Sequence, residues 1–352
     1  MALIGGSKAL AGLDIGSSSI KIVQLKETGK GYRLLNMGSR PLPQEVIVDG
    51  AIMDAGIISD TLRDMVREMK LKVKDVAVSV SGHSVIIKKI KVQEMTEEEL
   101  ERNIQFEAEQ YVPFDASEVN MDFVIVGTVE GEGKMEVLLV VVKKDVINDI
   151  TTVVTEAGLN PVVVDVDAFA LQNMYETNYV LNPEDVVALV NVGASTTNIN
   201  IIRDGVSIFT RDVSVGGNQY TESIQKQLQV SYDEAELLKK GETVGEKGPD
   251  DVGPIMSVIS DNLGQEIQRS LDFFNSSNPD VQISRVSICG GGAKVDSVIK
   301  AVERRLGIQV EMVNPLEAIT LNRKKFDEGE IEGMAPTLGI GVGLAIRKAH
   351  DR

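Results

Sequence analysis

The sequence predicts an α/β protein of two related lobes facing across a cleft, on three observations. The first is the stretch Gly12-Leu13-Asp14-Ile15-Gly16-Ser17-Ser18-Ser19-Ile20-Lys21-Ile22-Val23-Gln24-Leu25. An apolar entry, an Asp, a Gly, three hydroxyl residues and an alternating run predict a β-hairpin with a tight polar turn. The second is a copy without a gap, Val190-Asn191-Val192-Gly193-Ala194-Ser195-Thr196-Thr197-Asn198-Ile199-Asn200-Ile201-Ile202. Asp14 falls on Asn191, Gly16 on Gly193, Ser18 on Ser195, Ser19 on Thr196 and Ile22 on Ile199. The copy is displaced by about half of the 352 residues, the mark of an internal duplication. The third is Val286-Ser287-Ile288-Cys289-Gly290-Gly291-Gly292-Ala293, an apolar strand running into three glycines before a helix over 295–306.

Composition bounds the function. The apolar share of 43% and charged share of 25% are those of an ordinary globular chain. A net charge of −17 argues against nucleic acid as a partner, because phosphate neutralisation needs basic patches. The same charge makes direct electrostatic attachment to a membrane unexpected. Cys289 is the one cysteine, so no intrachain disulfide can form, and a reducing compartment is expected. Met1–Gly6 is too short and broken for a secretory segment, and no apolar run approaches the ~20 residues of a membrane span. His83 and His350 are the only histidines and make no zinc-ligand cluster. No Trp and few aromatics speak against a base-stacking platform.

The elements follow in order. Residues 1–9 read as a loose tail. Residues 10–38 supply the first hairpin and a third strand, with Gly29 and Gly31 at the turn and a break at Pro41 and Pro43. Residues 45–157 read as an inserted α+β unit. Leu62, Met65, Val66 and Met69 mark a helix face. Strands over 73–80 and 85–92 flank Ser81-Gly82-His83-Ser84, where His83 reads as a turn residue. Thr96-Glu97-Glu98-Glu99 is a capping box opening a helix that Pro113 ends. Strands over 122–128 and 135–142 follow, then a helix stopped by Gly158. A buried-type strand over 162–166 runs into a helix near 168–176. In the second lobe, 206–213 continues the sheet, and helices are expected near 219–229, 233–240 and 259–274. Residues 241–252 read as a Gly- and Asp-rich loop. Pro336–Ile346 is a small-residue helix suited to close backbone packing.

The chemistry-bearing residues cluster at the turns. Successive amides of Gly16, Ser17, Ser18 and Ser19 can form an anion nest, with Lys21 adding charge. Asp14, ending its strand, is placed to hold a hydrated Mg²⁺ against a phosphate. Asn191, Gly193, Ala194, Ser195, Thr196 and Thr197 repeat the device in the second lobe, so that two hairpins would grip a nucleotide from both sides. Gly216 and Gly217 suggest either close approach to a ligand or a helix cap. Glu236 and Lys239, three apart on a helix, are either a surface ion pair or a ribose clamp. Gly290, Gly291, Gly292 and Ala293 would let a flat ligand approach the backbone at a helix N-terminus. Asp167 either caps its helix or points into the cleft to orient a water. Asp165 and Asp167 are the only candidates for a base between the lobes.

Five of these stretches stand in a familiar order. Asp14–Lys21 resembles the first phosphate motif of the superfamily of actin, sugar kinases and DnaK-type chaperones. Asp165–Leu171 resembles its first connecting helix, Asn191–Asn198 its second phosphate motif, Ile288–Ala293 its adenosine motif and Pro336–Ala345 its second connecting helix. The position of the insert resembles the FtsA branch. Closer still, the opening 12–21, Glu107-Ala108-Glu109-Gln110-Tyr111-Val112-Pro113-Phe114, Gly216-Gly217-Asn218 and Tyr232-Asp233-Glu234-Ala235-Glu236 resemble the PilM-like proteins of type IV pilus assembly. The polar end Arg347-Lys348-Ala349-His350-Asp351-Arg352, with no amphipathic helix, favours that branch over FtsA.

The resemblance implies a two-lobed actin-like fold of duplicated RNase H-like sheets. Its subdomain 1A would take 1–38 with 158–188 and 334–352, and the inserted subdomain 1C 39–157. Subdomain 2A would take 189–218 with 283–333, and 2B 219–282. It also implies ATP and Mg²⁺ as cofactors and the short cytoplasmic N-terminal peptide of PilN as partner. Other inner-membrane pilus proteins and the pilus motor ATPase are further expected partners, membrane contact would be indirect, and self-association of the FtsA kind is an alternative. A small-molecule kinase is the competing enzyme reading. Asn191 departs from the usual Asp of the second phosphate motif, so the expectation is nucleotide binding without efficient turnover.

Overall fold

The computed structural model describes residues 10–129 and 131–349. The expected tail 1–9 and the polar end at His350, Asp351 and Arg352 lie outside the described residues. In chain order the first lobe begins with β1 (Ala11–Ile15), β2 (Ser19–Thr28), β3 (Gly31–Pro41), the short β4 (Ile47–Val48) and β5 (Ala51–Ile52), α1 (Ala55–Glu68) and β6 (Asp75–Val80). A second sheet then interrupts it: β7 (Val85–Gln93), α2 (Glu97–Ala108), β8 (Val119–Val129) and β9 (Lys134–Lys143). The lobe resumes with α3 (Lys144–Glu156), β10 (Asn160–Val166) and α4 (Asp167–Asn178). The second lobe holds β11 (Val186–Val192), β12 (Thr197–Arg203), β13 (Val206–Val213), α5 (Asn218–Leu228), α6 (Tyr232–Lys239) and α7 (Pro249–Ser277). It ends with β14 (Arg285–Cys289), α8 (Asp296–Leu306), β15 (Val310–Met312) and α9 (Glu328–Met334), and α10 (Gly339–Ile346) closes the described chain.

The duplication read from the hairpins extends to whole sheets. One sheet has the order β10-β6-β1-β2-β3, the other β13-β12-β11-β14-β15. In each, the hairpin strands pair antiparallel and the first pairs parallel on its other side, β1 with β6 and β11 with β14. Even the register repeats, for Asp14 faces Lys21 and Asn191 faces Asn198. The strands are apolar because helices cover them: α1 and α3 on the outer face of the first sheet, α7 and α8 on that of the second. Burying one such Val or Ile is worth about 1.5–3 kcal/mol, and Val190, Ile199 and Ile201 are fully buried.

Between the lobes lie α4 and α10, which pack on each other and share one core with residues of both sheets, Val23 and Val187 among them. Their approach is backbone to backbone. A Cβ on Gly343 would stand 1.7 Å from the Ala170 carbonyl oxygen. The small-residue pattern of 336–346 is therefore a packing requirement.

The inserted unit is smaller than 39–157. Only β7, β8 and β9 form the separate sheet, in the order β7-β9-β8, with α2 on it. α1, β6 and α3 belong to the first lobe, where β6 lies between β1 and β10. The strands on either side of Ser81–Ser84 are thus not a hairpin; the turn is the joint by which the chain leaves one sheet for the other. The expected capping box is present, with Glu99 N–H donating to Thr96 and Thr96 N–H to Glu99. α7 starts at Pro249 and absorbs the end of the expected loop 241–252, because Pro at the first helical turn loses no hydrogen bond there.

Candidate functional site

The two hairpin turns meet. Ser195 Oγ donates to Ser17 Oγ at 2.8 Å, from one lobe to the other. Each turn closes the same way: Gly16 N–H donates to the Ser19 carbonyl at 3.1 Å and Gly193 N–H to the Thr196 carbonyl at 2.9 Å. The loop before α5 is tied to the second turn, with Gly217 N–H donating to the Gly193 carbonyl and Asn218 Nδ2 to Ser195 Oγ. The cleft they border has a volume of about 1020 Å³.

Most of the expected residues line it: Asp14, Gly16, Ser17, Ser18, Ser19 and Lys21 on one wall, and Asn191, Gly193, Ala194, Ser195 and Thr196 on the facing one. Gly217, Glu236, Lys239, Gly290, Gly291, Gly292 and Asp167 line it as well. Three do not. Thr197 is fully buried, its hydroxyl donating to the Val215 carbonyl at 2.7 Å, because along β12 it points opposite to the cleft-lining Asn198 and shares the face of Ile199. Gly216 backs the second turn, where a Cβ would stand 2.6 Å from the Ala194 carbonyl oxygen. Ala293 packs into the second lobe's core.

The floor suits a flat, polyanionic ligand. Gly290 has φ +99°, and a Cβ on it would stand 2.3 Å from the Val192 carbonyl oxygen, so only glycine lets this backbone cross the strand end. Lys21 Nζ is 3.0 Å from Asp14 Oδ2, both largely shielded from solvent. Glu236 and Lys239 are paired, and Lys239 also donates to Thr221 Oγ1 at 2.7 Å. Burial pulls the Lys239 ammonium below the usual lysine range, against the opposing charge of Glu236. This is a built, part-buried pair on the cleft wall, not a solvated surface ion pair.

Asp167 reaches the cleft at the first residue of α4 and accepts from Ser79 Oγ at 2.6 Å. Burial first and the Asp14 charge second push its carboxyl up to about 6; Asp212 adds to the rise, and hydrogen bonds to Ser79 and Ser81 oppose it. Asp165 faces elsewhere. It lines a second cavity of about 630 Å³ with Arg347, whose Nε lies 3.5 Å from Oδ2, and burial raises its carboxyl against that charge. Of the two carboxylates read as candidate bases, Asp167 is the one that lines the cleft between the lobes.

Sequence reading missed Ser79, Ser81, Asn198, Asn218, Lys240 and Met256, all of which line the cleft. Asn198 had a signal, since it stands in the second hairpin where Lys21 stands in the first. Ser79 and Ser81 had none, being brought to the cleft by the pairing of β6 with β1.

A nucleotide fits this donor set: turn amides and hydroxyls from two lobes, Lys21, and a cradle that side chains would fill. For a divalent cation the fit is narrower. Among the described residues no group of three His, Cys, Asp or Glu could hold a metal ion. An ion here would be held by Asp14 with water and phosphate oxygens, the usual manner of Mg²⁺, and Lys21 would have to release that carboxylate.

A family model described as "Type IV pilus assembly protein PilM" matches residues 12–349. A solved "PilM-PilN type IV pilus biogenesis complex" superposes with a TM-score of 0.86 at 25% identity, over 97% of this chain and 99% of that one. MreB5 of Spiroplasma citri bound to ADP superposes with a TM-score of 0.52 at 15% identity, over 92% and 98% of the two chains. Cell division protein FtsA of Bacillus subtilis is 23% identical over 255 residues, 65% of this chain and 56% of that relative, so the chain spans little more than half its length. The fold is the two-lobed actin-like one that the resemblance implies.

Proposed function

The chain belongs to the type IV pilus assembly protein PilM family, and we propose that it works there as a nucleotide-dependent scaffold that holds the N-terminal peptide of PilN. The observation that carries the nucleotide half is the contact of Ser17 with Ser195, which brings both anion-binding turns onto one cleft. A triphosphate would replace that contact, accept from the amides and hydroxyls of both turns, and draw Lys21 away from Asp14. Glu236 and Lys239 would clamp the ribose, and the glycines 290–292 would lie against the base. Mg²⁺ would come with the phosphates and neutralise them beside Asp14. Closing two lobes on one ligand selects the closed state by the ligand's extra contacts there.

The second cavity supplies the place for the peptide. It lies between β8, the edge of the inserted sheet, and the first lobe, and Gly205, Val206 and Ser207 of the second lobe close it. An edge strand offers a row of unpaired backbone groups to an extended segment. Val124 and Ile125, exposed by 53% and 38%, offer it apolar side chains. Through PilN the protein would stand at the cytoplasmic face of the inner membrane and link other assembly proteins to the motor. No described helix is long and apolar enough to cross a membrane.

Turnover is expected to be slow. Asn191 stands where Asp14 stands in the first turn, and its amide is spent on a 3.0 Å hydrogen bond to Asn198 Oδ1. The missing carboxylate, as one electrostatic group of such a site, is worth on the order of a hundred- to a thousandfold in rate. Asn191→Asp is therefore expected to raise single-turnover hydrolysis of ATP by that amount; fast hydrolysis that the substitution leaves unchanged would contradict the reading. The scaffold itself is tested by titrating a synthetic PilN N-terminal peptide into the protein. Binding is expected, tighter by about fivefold or more with a non-hydrolysable ATP analogue present. No binding in either state would overturn it.

A further inference from the structure

The two turns are built alike but wired differently. In the first, the facing pair on the hairpin is an ion pair, Asp14 with Lys21. In the second, the same two positions are Asn191 and Asn198. A carboxylate only accepts and an ammonium only donates, so the first pair closes on itself; an amide does both and can pass a hydrogen bond on. Asn191 Nδ2 donates to Asn198 Oδ1 at 3.0 Å, and Asn198 Nδ2 donates to Asp212 Oδ1 at 2.9 Å. The other oxygen, Asp212 Oδ2, accepts from Gly82 N–H at 2.6 Å.

Gly82 belongs to the other lobe and sits in the joint of the inserted sheet. The Ser81–Ser84 turn is one of the two covalent links to that sheet; the second, at Lys143, is bound to it by a 3.1 Å hydrogen bond from Lys143 N–H to the Ser84 carbonyl. Asp212 therefore pins the hinge of the inserted unit to the second lobe. It lies near one end of β13, and the other end of the same strand, Val206 and Ser207, lines the second cavity.

Resting on the scaffold reading above, we propose that the chain Asn191–Asn198–Asp212–Gly82 is the coupling between nucleotide in the cleft and the peptide groove under the inserted sheet. Both asparagines line the cleft. A phosphate oxygen that turns the Asn198 amide toward itself breaks the second link directly, and one that turns Asn191 away releases Asn198 to turn in the same way. Asp212 then loses a partner that held its carboxylate in place, and its grip on Gly82 changes. The inserted sheet turns on that hinge, and the groove beneath β8 changes width. The ligand's different contacts in the two states supply the coupling, as any such effect requires.

Asp212 lies outside the cleft lining, so Asp212→Ala cuts the relay while every cleft-lining side chain is kept. The experiment is hydrogen exchange of the segment 82–93 in the full chain, with and without Mg²⁺ and AMP-PNP, beside the affinities of analogue and PilN peptide. In the wild type the analogue is expected to change exchange in this segment by about fivefold or more. In Asp212→Ala the segment exchanges faster, analogue and peptide each still bind alone, and the ratio of peptide affinities with and without analogue falls to near one. Asp212→Asn, with one acceptor oxygen for two donors, is expected to fall between them and guards against misfolding of the alanine variant. A wild-type ratio in Asp212→Ala would overturn the relay, as would unchanged exchange in wild type carrying bound analogue. Failure of the analogue to bind at all would instead overturn the scaffold reading, and the relay with it. If exchange responds while the peptide does not bind, the scaffold reading falls and the coupling to a peptide groove with it, and what is left is a nucleotide-sensitive hinge.

Discussion

Replacing Asp167 by Asn is expected to stabilise the unliganded protein at neutral pH by as much as about 3 kcal/mol. The carboxyl is held at about 6, well above the 3.8 of an unperturbed Asp, mainly by burial and then by Asp14. The native state thus holds the proton more tightly than the unfolded chain between these values. Stability contributed by this group is greatest below pH 4, falls as pH rises from about 4 to 6, and is lost above. The Asn variant keeps an oxygen for Ser79 and carries no charge, so its melting temperature is expected to lose that component of the pH dependence. Thermal unfolding of both proteins between pH 4 and 8, without ligand, measures it. A variant that melts below wild type at pH 7 would show that the charged form is the one the cleft is built for. Such a cost is usual for a carboxylate kept in a functional cleft, here one that would meet the Mg²⁺ and water carried in with the phosphates.

Gly343→Ala is expected to be the most disruptive alanine substitution among the described glycines. The added Cβ would meet the Ala170 carbonyl oxygen at 1.7 Å and its carbon at 2.5 Å. These are backbone atoms inside α4, with no flexible end to swing aside, so α10 and α4 must separate. Overpacking commonly costs about 1–3 kcal/mol and more where the backbone must move, so a loss of about 3 kcal/mol or more is expected. Because these helices share a core with both lobes, nucleotide affinity should fall as well. Gly341→Ala is the internal control: its Cβ would meet only the Val23 side chain, Cγ2 at 3.0 Å and Cβ at 3.8 Å, and no backbone atom. Denaturant unfolding of the two variants is expected to rank them widely apart, and equal losses would contradict the packing account.

What was legible in the chain was local and periodic. Each hairpin declares itself within fourteen residues, through alternation and a turn of small polar residues, and its repetition announced the second lobe. The cap at Thr96 is equally short-ranged, and it forms. The insert boundary was not legible, because assigning α1, β6 and α3 to the first lobe depends on β6 pairing with β1 across more than sixty residues of chain. The same limit hid Ser79 and Ser81 at the cleft and Asp212 at the hinge. Asp165 and Asp167 illustrate the other kind of miss: two carboxylates two residues apart looked interchangeable. The chain changes from strand to helix between them, so one faces the cleft and the other the second cavity. Thr197 belongs to the polar turn by sequence, yet alternation along β12 puts it on the inward face with Ile199 and Ile201.

The most direct test of the paired-turn account is the response of backbone amides to one nucleotide. Amide chemical shifts of Gly16–Ser19 in the first lobe and Gly193–Thr196 in the second should move together as AMP-PNP with Mg²⁺ is added, along one binding curve that saturates at a single equivalent. Movement of only one set, or two sets following different curves, would contradict the claim that both lobes hold the same triphosphate.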